Sequence, residues 1–249
     1  MLLATTPWFL LAAGAAAFAA GFVKGFAGFG FAVVFTPVMS LLSHDPRQVV
    51  FVALVLGTVM SLGVIAEVRH AITPDRTLPL VIGTVIGTPL GIMLLGWIDA
   101  STLKLIIAGV ALGVTVLRVI DIRIAIRPGA VPLAAGAGLG GVLNGCTSMG
   151  GPVPALIVAW QGRGVDESRS ILVVFNLLGY LLAIAIALGT GVAPGRWLAS
   201  GLWLLPPAGL GTVTGILAVR RVSPATFAHV ITGVVGLAGI AGVLSAAHF

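Results

Sequence analysis

Two glycine-rich stretches interrupt apolar sequence 120 positions apart, and they constrain the fold more than any other feature. The first is GFVKGFAGFG at 21–30, and the second is GVLNGCTSMG at 141–150. Glycine weakens a helix because it has the most backbone freedom to lose. Each stretch is therefore interpreted as a break between short helices, and the surrounding sequence decides what such a break can do.

The surrounding sequence is too apolar for a soluble protein. Of 249 residues, 59% are hydrophobic and 8% are charged, whereas soluble domains carry roughly 25% charged residues. The composition predicts an all-α polytopic membrane protein, with multi-pass localisation in the plasma or inner membrane. The net charge of +6 is interpreted as loop cations that set topology, so no nucleic-acid partner is expected. The single cysteine, Cys146, excludes an internal disulfide and a Cys-rich metal site.

Charges and turn residues divide the chain into ten apolar segments, five in each half. They are 8–23, 29–42, 49–66, 78–97 and 103–119, then 133–143, 151–160, 171–188, 197–219 and 225–246. A crossing helix needs about 20 residues, which makes six of these full spans and four short segments. Residues 1–249 are predicted to form one transmembrane domain with two repeats, 8–119 and 131–247, joined by a linker at 120–130.

The two halves match in register along their length. Gly21, Gly25 and Gly30 fall on Gly141, Gly145 and Gly150 at an offset of 120 positions. The pair Gly87-Thr88 falls on Gly211-Thr212 at an offset of 124. A near-constant register predicts that the halves are structural repeats.

The distribution of Lys and Arg favours one topology. If the segments flanking each break form a hairpin that enters and leaves on the same side, nine cations lie on one side and three on the other, with Lys24 left out. A single interrupted crossing would place six cations on each side. Natural membrane proteins carry more Lys and Arg on the cytoplasmic side, so the hairpin topology is favoured. With five passes or part-passes per half, the second repeat is predicted to be inverted and both termini to lie outside the cytoplasm. Inverted repeats with broken helices near the midplane are a common transporter plan.

Lys24 is the residue that most strongly indicates a binding site. A cation at membrane depth is costly unless it is paired or hydrated, and all seven acids lie in loops or at segment ends. This favours an anionic substrate and disfavours cation transport. The alternative is that Lys24 extends to a membrane interface, as long side chains do. The N–H groups of the breaks also favour an anion, unless the glycines serve only close helix packing.

Neutral donors complete the predicted site. Asn144 matches Lys24 in the second repeat, and Thr147 and Ser148 follow it. Asn176 lies inside the segment 171–188, where hydrogen bonding between helices is an equal alternative. No catalytic residue, metal or cofactor is expected. The candidate substrate-binding residues are Lys24, Gly25, Gly28, Gly30, Asn144, Gly145, Thr147, Ser148, Gly150, Gly151 and Asn176.

At these two stretches the chain resembles the sulfite exporter TauE/SafE family of membrane permeases. The resemblance is carried by 21–30 followed by Pro37, by 141–151 followed by Pro154, and by GTVIGTPLG at 83–91. It covers essentially the whole chain and implies a carrier for sulfite, organosulfonates or related anions, commonly exporting them across the inner membrane by alternating access. The first stretch departs from the family in reading GFGF where members often have a longer glycine run.

Other functions stay open at this point. The substrate could be another small anion, a cation or a neutral metabolite. An intramembrane enzyme would use Ser148 or Cys146 as nucleophile and would need His229 as its base. Tyr180 could reach the same cavity or belong to an aromatic belt. The expected partners are a small anionic substrate and the lipid bilayer, with a homodimer as a further candidate.

Overall fold

The computed structural model describes residues 7–43, 45–120, 126–162, 164–218 and Ile240, and helices account for most of them. The first half contains α1 (Pro7–Ala27), α2 (Phe31–Leu42), α3 (Pro46–Val68), a 3-10 turn (Arg69–Ala71), α4 (Pro74–Trp97) and α5 (Ala100–Ile120). The second contains α6 (Ala130–Thr147), α7 (Pro152–Trp160), α8 (Val165–Gly189), α9 (Trp197–Ser200), a 3-10 turn (Leu202–Leu204) and α10 (Leu205–Ala218). The predicted last segment, 225–246, lies outside the described residues apart from Ile240.

Seven helical stretches in the described part of the chain are long and apolar enough to cross a membrane, which confirms the all-α polytopic prediction. They are Pro7–Ala27, Pro46–Ala71, Pro74–Trp97, Ala100–Leu117, Ala130–Thr147, Asp166–Gly189 and Trp197–Ala218. The predicted number of short segments was wrong, because 8–23 and 133–143 each belong to one of these longer helices. Only α2, with 12 residues, and α7, with nine, are as short as predicted.

Two polar loops provide N-caps for the helices that follow them. Asp45 accepts hydrogen bonds at 3.0 and 3.3 Å from two backbone N–H groups in the first turn of α3, and Pro46 follows at the first helical position. Asp99 accepts two such bonds at 3.0 and 2.9 Å from the first turn of α5. Both are N-caps, which replace hydrogen bonds that the first turn of a helix cannot make within itself.

The glycine-rich stretches are mostly helical, which corrects their interpretation as ten-residue breaks. Helix α1 continues through Lys24, and α6 continues through Asn144. The chain leaves helical geometry only at 28–30, which we call the first break, and at 148–151, the second break. The earlier glycines stay helical because neighbouring helices pack directly against their backbones.

Two helix pairs, α1 with α10 and α4 with α6, pack backbone against backbone. A methyl group on any glycine at these contacts would lie within 3.1 Å of a backbone atom of the facing helix. Small residues allow such close approach between membrane helices, where dispersion contacts replace the hydrophobic effect. The glycines are Gly21, Gly25, Gly83, Gly87, Gly91, Gly141, Gly145, Gly211 and Gly215.

These contacts join the two halves in matching pairs. Gly25 of α1 lies against the backbone carbonyl of Thr212 in α10, and Gly145 of α6 lies against that of Thr88 in α4. The glycines differ by 120 positions and the threonines by 124, which are the two offsets that relate the halves. Each half therefore packs its first helix on the other half's fourth segment.

One end of the bundle is held by an ion pair between the halves. Arg169 of α8 donates to both carboxylate oxygens of Glu67 in α3, at 3.1 and 2.8 Å. The same guanidinium donates to the carbonyl of Gly25 at 2.7 Å, near the C-terminus of α1. The Arg169 side chain is 6% exposed and that of Glu67 is 27% exposed, so the pair is largely shielded from water.

We expect Gly87→Ala to destabilise the protein by about 1–3 kcal/mol, because the new methyl group would overlap the carbonyl of Gly138 and push α4 away from α6. Thermal unfolding in detergent measures the effect. Gly109→Ala is the matched control, since nothing lies within 4 Å of that position in α5. Equal stability of the two variants would contradict the packing.

We expect Glu67→Gln to lower the stability by about 1–3 kcal/mol, because it leaves a shielded guanidinium without its counter-charge. Partial exposure of Glu67 keeps the loss below that of a fully buried pair. Asp75→Asn is the control, since the Asp75 side chain is 76% exposed and its ion pair with Arg76 is long, at 3.9 Å. The melting temperature of this variant should stay near that of the wild type. A Glu67→Gln protein as stable as this control would refute the prediction.

Candidate functional site

The two breaks meet inside the bundle, against the first half of α8. A methyl group added to Gly151 would lie 3.1 Å from the ring of Phe29 and 3.5 Å from Nδ2 of Asn176. One added to Gly28 would lie 3.2 Å from a side-chain carbon of Val173. The structure therefore brings the breaks of both halves to one stretch of one helix.

Left-handed backbone shapes both breaks. Gly28 and Gly30 have φ values of 79° and 92°, and Ser148 has a φ of 62°. Glycine adopts this region freely, whereas other residues are strained there. Ser148 is held by its N–H, which donates to the carbonyl of Asn144 at 2.8 Å, and by a 2.7 Å hydrogen bond between its hydroxyl and that of Thr36. The second bond links α2 to the second break.

A short helix begins directly after each break. The N-cap positions of α2 and α7, Gly30 and Gly151, provide no side-chain hydrogen bond to the first turn. The first N–H groups of a helix have no partner within it, and the helix dipole makes that end positive. In α7, Pro152 and Pro154 have no N–H, so Val153 provides the free N–H of its first turn. Two such helix ends close together suit a bound anion.

Lys24 lies in the last turn of α1 and is fully buried, with 0% exposure. Its Nζ makes no hydrogen bond to any residue that the structure describes. The Nζ lies 5.7 Å from the ring centroid of Tyr180 in α8, a distance at which the ring face attracts a cation. Because the side chain is buried, it does not reach the protein surface, as the interface alternative would require.

Two buried asparagines, one beside α8 and one within it, have amide atoms without a described partner. Asn144 is fully buried, and neither its Nδ2 nor its Oδ1 has a partner among the described residues. A methyl group on Gly179 would lie 2.8 Å from that Nδ2 and 3.7 Å from Cγ2 of Thr84. Asn176 donates to the carbonyl of Leu172 at 2.6 Å, but its Oδ1 has no described partner.

Two threonines of α4 belong to this neighbourhood, and the sequence analysis missed them. The hydroxyls of Thr84 and Thr88 are buried and unpaired in the part of the chain that the structure describes. Thr212, which matches Thr88 in the second half, instead donates to the carbonyl of Ala208 at 2.9 Å and contacts Met60. The spacing of the two threonines within GTVIGTPLG was the signal that could have identified them.

Three of the predicted site residues serve the local structure. Gly25 and Gly145 lie at the helix contacts described above. The hydroxyl of Thr147 donates to the carbonyl of Leu143 at 2.7 Å and accepts from the N–H of Met149 at 3.2 Å. The predicted residues that the structure brings together around the breaks are Gly28, Gly30, Asn144, Ser148, Gly150, Gly151 and Asn176. Lys24 lies one turn before the first break, where its carbonyl accepts a hydrogen bond from the N–H of Gly28 at 2.9 Å.

The residues of the enzymatic alternative do not form a nucleophile–base pair in the described region. The Ser148 hydroxyl bonds to Thr36 and to the carbonyl of Thr147, and the Cys146 thiol contacts the carbonyl of Leu143 at 3.6 Å. His229, the proposed base, lies outside the described residues.

The comparisons with known proteins agree with this architecture. A protein-family model described as sulfite exporter TauE/SafE matches residues 13–242. Comparisons with curated proteins and with solved structures give no match. The family match covers most of the 249 residues, including both breaks and, apart from the first six residues of α1, the helices around them. The chain therefore belongs to the sulfite exporter TauE/SafE family of membrane transporters.

Proposed function

We propose that this transporter carries small sulfur-containing anions, such as sulfite or organosulfonates, and that Lys24 is the cationic part of its binding site. One observation carries the proposal: Lys24 is fully buried, and its Nζ has no partner among the described residues. An isolated charge inside a membrane protein is expensive unless something compensates it. A bound anion would provide that compensation.

A second buried cation in the described part of the chain supports this interpretation by contrast. The guanidinium of Arg169 is shielded in a comparable way, but it has Glu67 as a counter-ion. The bilayer interior offers little water to replace such a partner. No described residue provides a carboxylate to Lys24, which leaves a positive site that is complementary to an anionic ligand.

The backbone of the breaks adds neutral donors to this charge. The starts of α2 and α7 lie beside Phe29 and Gly151, which are in contact. We propose that N–H groups at these ends bind oxygen atoms of the substrate. Backbone donors suit tetrahedral or pyramidal oxyanions because they are fixed in place before the ligand arrives.

We further propose that the halves are inverted repeats and that transport proceeds by alternating access. The matching contacts of Gly25 with Thr212 and of Gly145 with Thr88 support a two-fold relation between the halves. The Arg169–Glu67 pair would close the transport pathway near the C-terminal end of α3. At the other end of α3, a small, partly open pocket is lined by Phe35, Val49, Trp203 and neighbouring residues from both halves. The proposed direction is export, as the family description suggests.

Lys24→Met should reduce sulfite flux by about 10- to 100-fold in proteoliposomes, since a hydrogen bond to a charged group contributes about 1.5–3 kcal/mol. The neutral variant should fold at least as well as the wild type, because it no longer buries a charge. Sulfite should raise the melting temperature of the wild type and leave that of Lys24→Met unchanged.

Lys104→Met in α5 is the matched control, since it also removes one lysine charge but at a partly exposed position. Its flux should equal that of the wild type. Full sulfite flux through Lys24→Met would exclude the proposed role of Lys24. Absence of flux for sulfite, sulfate and alkylsulfonates alike in the wild type would exclude the proposed substrate class.

A further inference from the structure

We infer that the transported anion also carries an O–H or N–H donor, which it presents to the amide oxygens of Asn144 and Asn176. The inference rests on the proposed function and narrows its substrate class. It favours anions such as hydrogen sulfite or a hydroxyalkylsulfonate over anions that have only acceptors, such as sulfate.

The site contains unpaired acceptors as well as donors. The Oδ1 atoms of Asn144 and Asn176 are both buried, and neither accepts a hydrogen bond from a described residue. An amide oxygen can only accept, so a ligand oxygen without a proton cannot satisfy it. The amide of Asn144 has no partner at either end, so exchanging its O and N positions does not remove the unmet acceptor.

Both asparagines lie beside the second break, where the proposed substrate binds. A methyl group on Gly150 would lie 2.6 Å from Cβ of Asn144, and one on Gly151 would lie 3.5 Å from Nδ2 of Asn176. Gly179 brings α8 close to the Asn144 amide and follows Asn176 by less than one helical turn. The two asparagine side chains thus border one region, next to adjacent positions of the second break.

The two halves differ at the matching positions 24 and 144, so each half would bind a different part of the ligand. Lys24 has only donors and would bind the anionic group, whereas Asn144, at the matching position, has a donor and an acceptor. Thr84 and Thr88 lie on the Asn144 side with buried, unpaired hydroxyls. A ligand with a negative group at one end and a donor at the other would satisfy both sides at once.

An anion without a donor would leave the amide oxygens buried and unpaired. A site built to bind a hydroxyl rejects an analogue that lacks it, because the groups of the site then lose their partners. The matched pair of probes is 2-hydroxyethanesulfonate and ethanesulfonate, which carry the same charged group and differ by one hydroxyl.

The experiment has two readouts for each sulfonate. One is how strongly it inhibits sulfite flux in proteoliposomes, and the other is how far it raises the melting temperature of the full-length protein. We expect the wild type to bind 2-hydroxyethanesulfonate at least about 10-fold more tightly than ethanesulfonate. Asn144→Leu and, separately, Asn176→Leu should each reduce this preference to about threefold or less. Thr212→Val is the control and should keep the full preference, since its hydroxyl already bonds within its own helix.

The outcomes separate this inference from the proposed function. Equal binding of the two sulfonates by the wild type would overturn the inference, because water would then satisfy the amide oxygens. Sulfite flux without binding of either sulfonate would overturn it as well and leave anion transport standing. A preference that survives in both leucine variants would remove the asparagines as its cause. The wild-type comparison needs no variant, so a variant that fails to fold leaves the inference testable.

Discussion

Direct contact between helix backbones is the constraint on which the rest of this structure depends. Where α1 meets α10 and α4 meets α6, glycine hydrogens occupy the space that a methyl group would need. This closeness ties each half of the chain to the other and positions the ends of α1 and α6 against α8. Because lipid provides no hydrophobic drive between helices, such packing has to supply much of the cohesion. The proposed binding residues owe their positions to this packing.

The same packing explains how a buried lysine can be held away from lipid. Lys24 follows directly on Val23 and precedes Gly25, a contact glycine, so its backbone is fixed by α10 while its side chain points toward Tyr180. In the other half, Asn144 precedes Gly145 in the same way. The two halves therefore place different chemistry on equivalent supports: a charge on one and a neutral amide on the other.

Much of the fold could be predicted from residue patterns. The apolar segments, the short α2 and α7, and the helix starts after Asp45 and Asp99 follow from hydropathy and capping alone. The extent of the breaks could not be predicted in this way. Glycine content rises both where a helix ends and where another helix touches it, so Gly25 and Gly28 look alike in sequence. Only Gly28 has the left-handed backbone of a break.

The sequence by itself determined that the chain lies in a membrane, that glycine-rich stretches recur 120 positions apart, and that Lys24 and Asn144 occupy matching positions in them. The tertiary structure alone decided which polar atoms lack partners. Thr36 pairs with Ser148, which is 112 positions away. Thr84, Thr88 and the asparagine oxygens have no partner among the described residues. Both outcomes depend on which helices become neighbours. Hydrogen-bonding capacity is a property of each residue, but its satisfaction is a property of the packing.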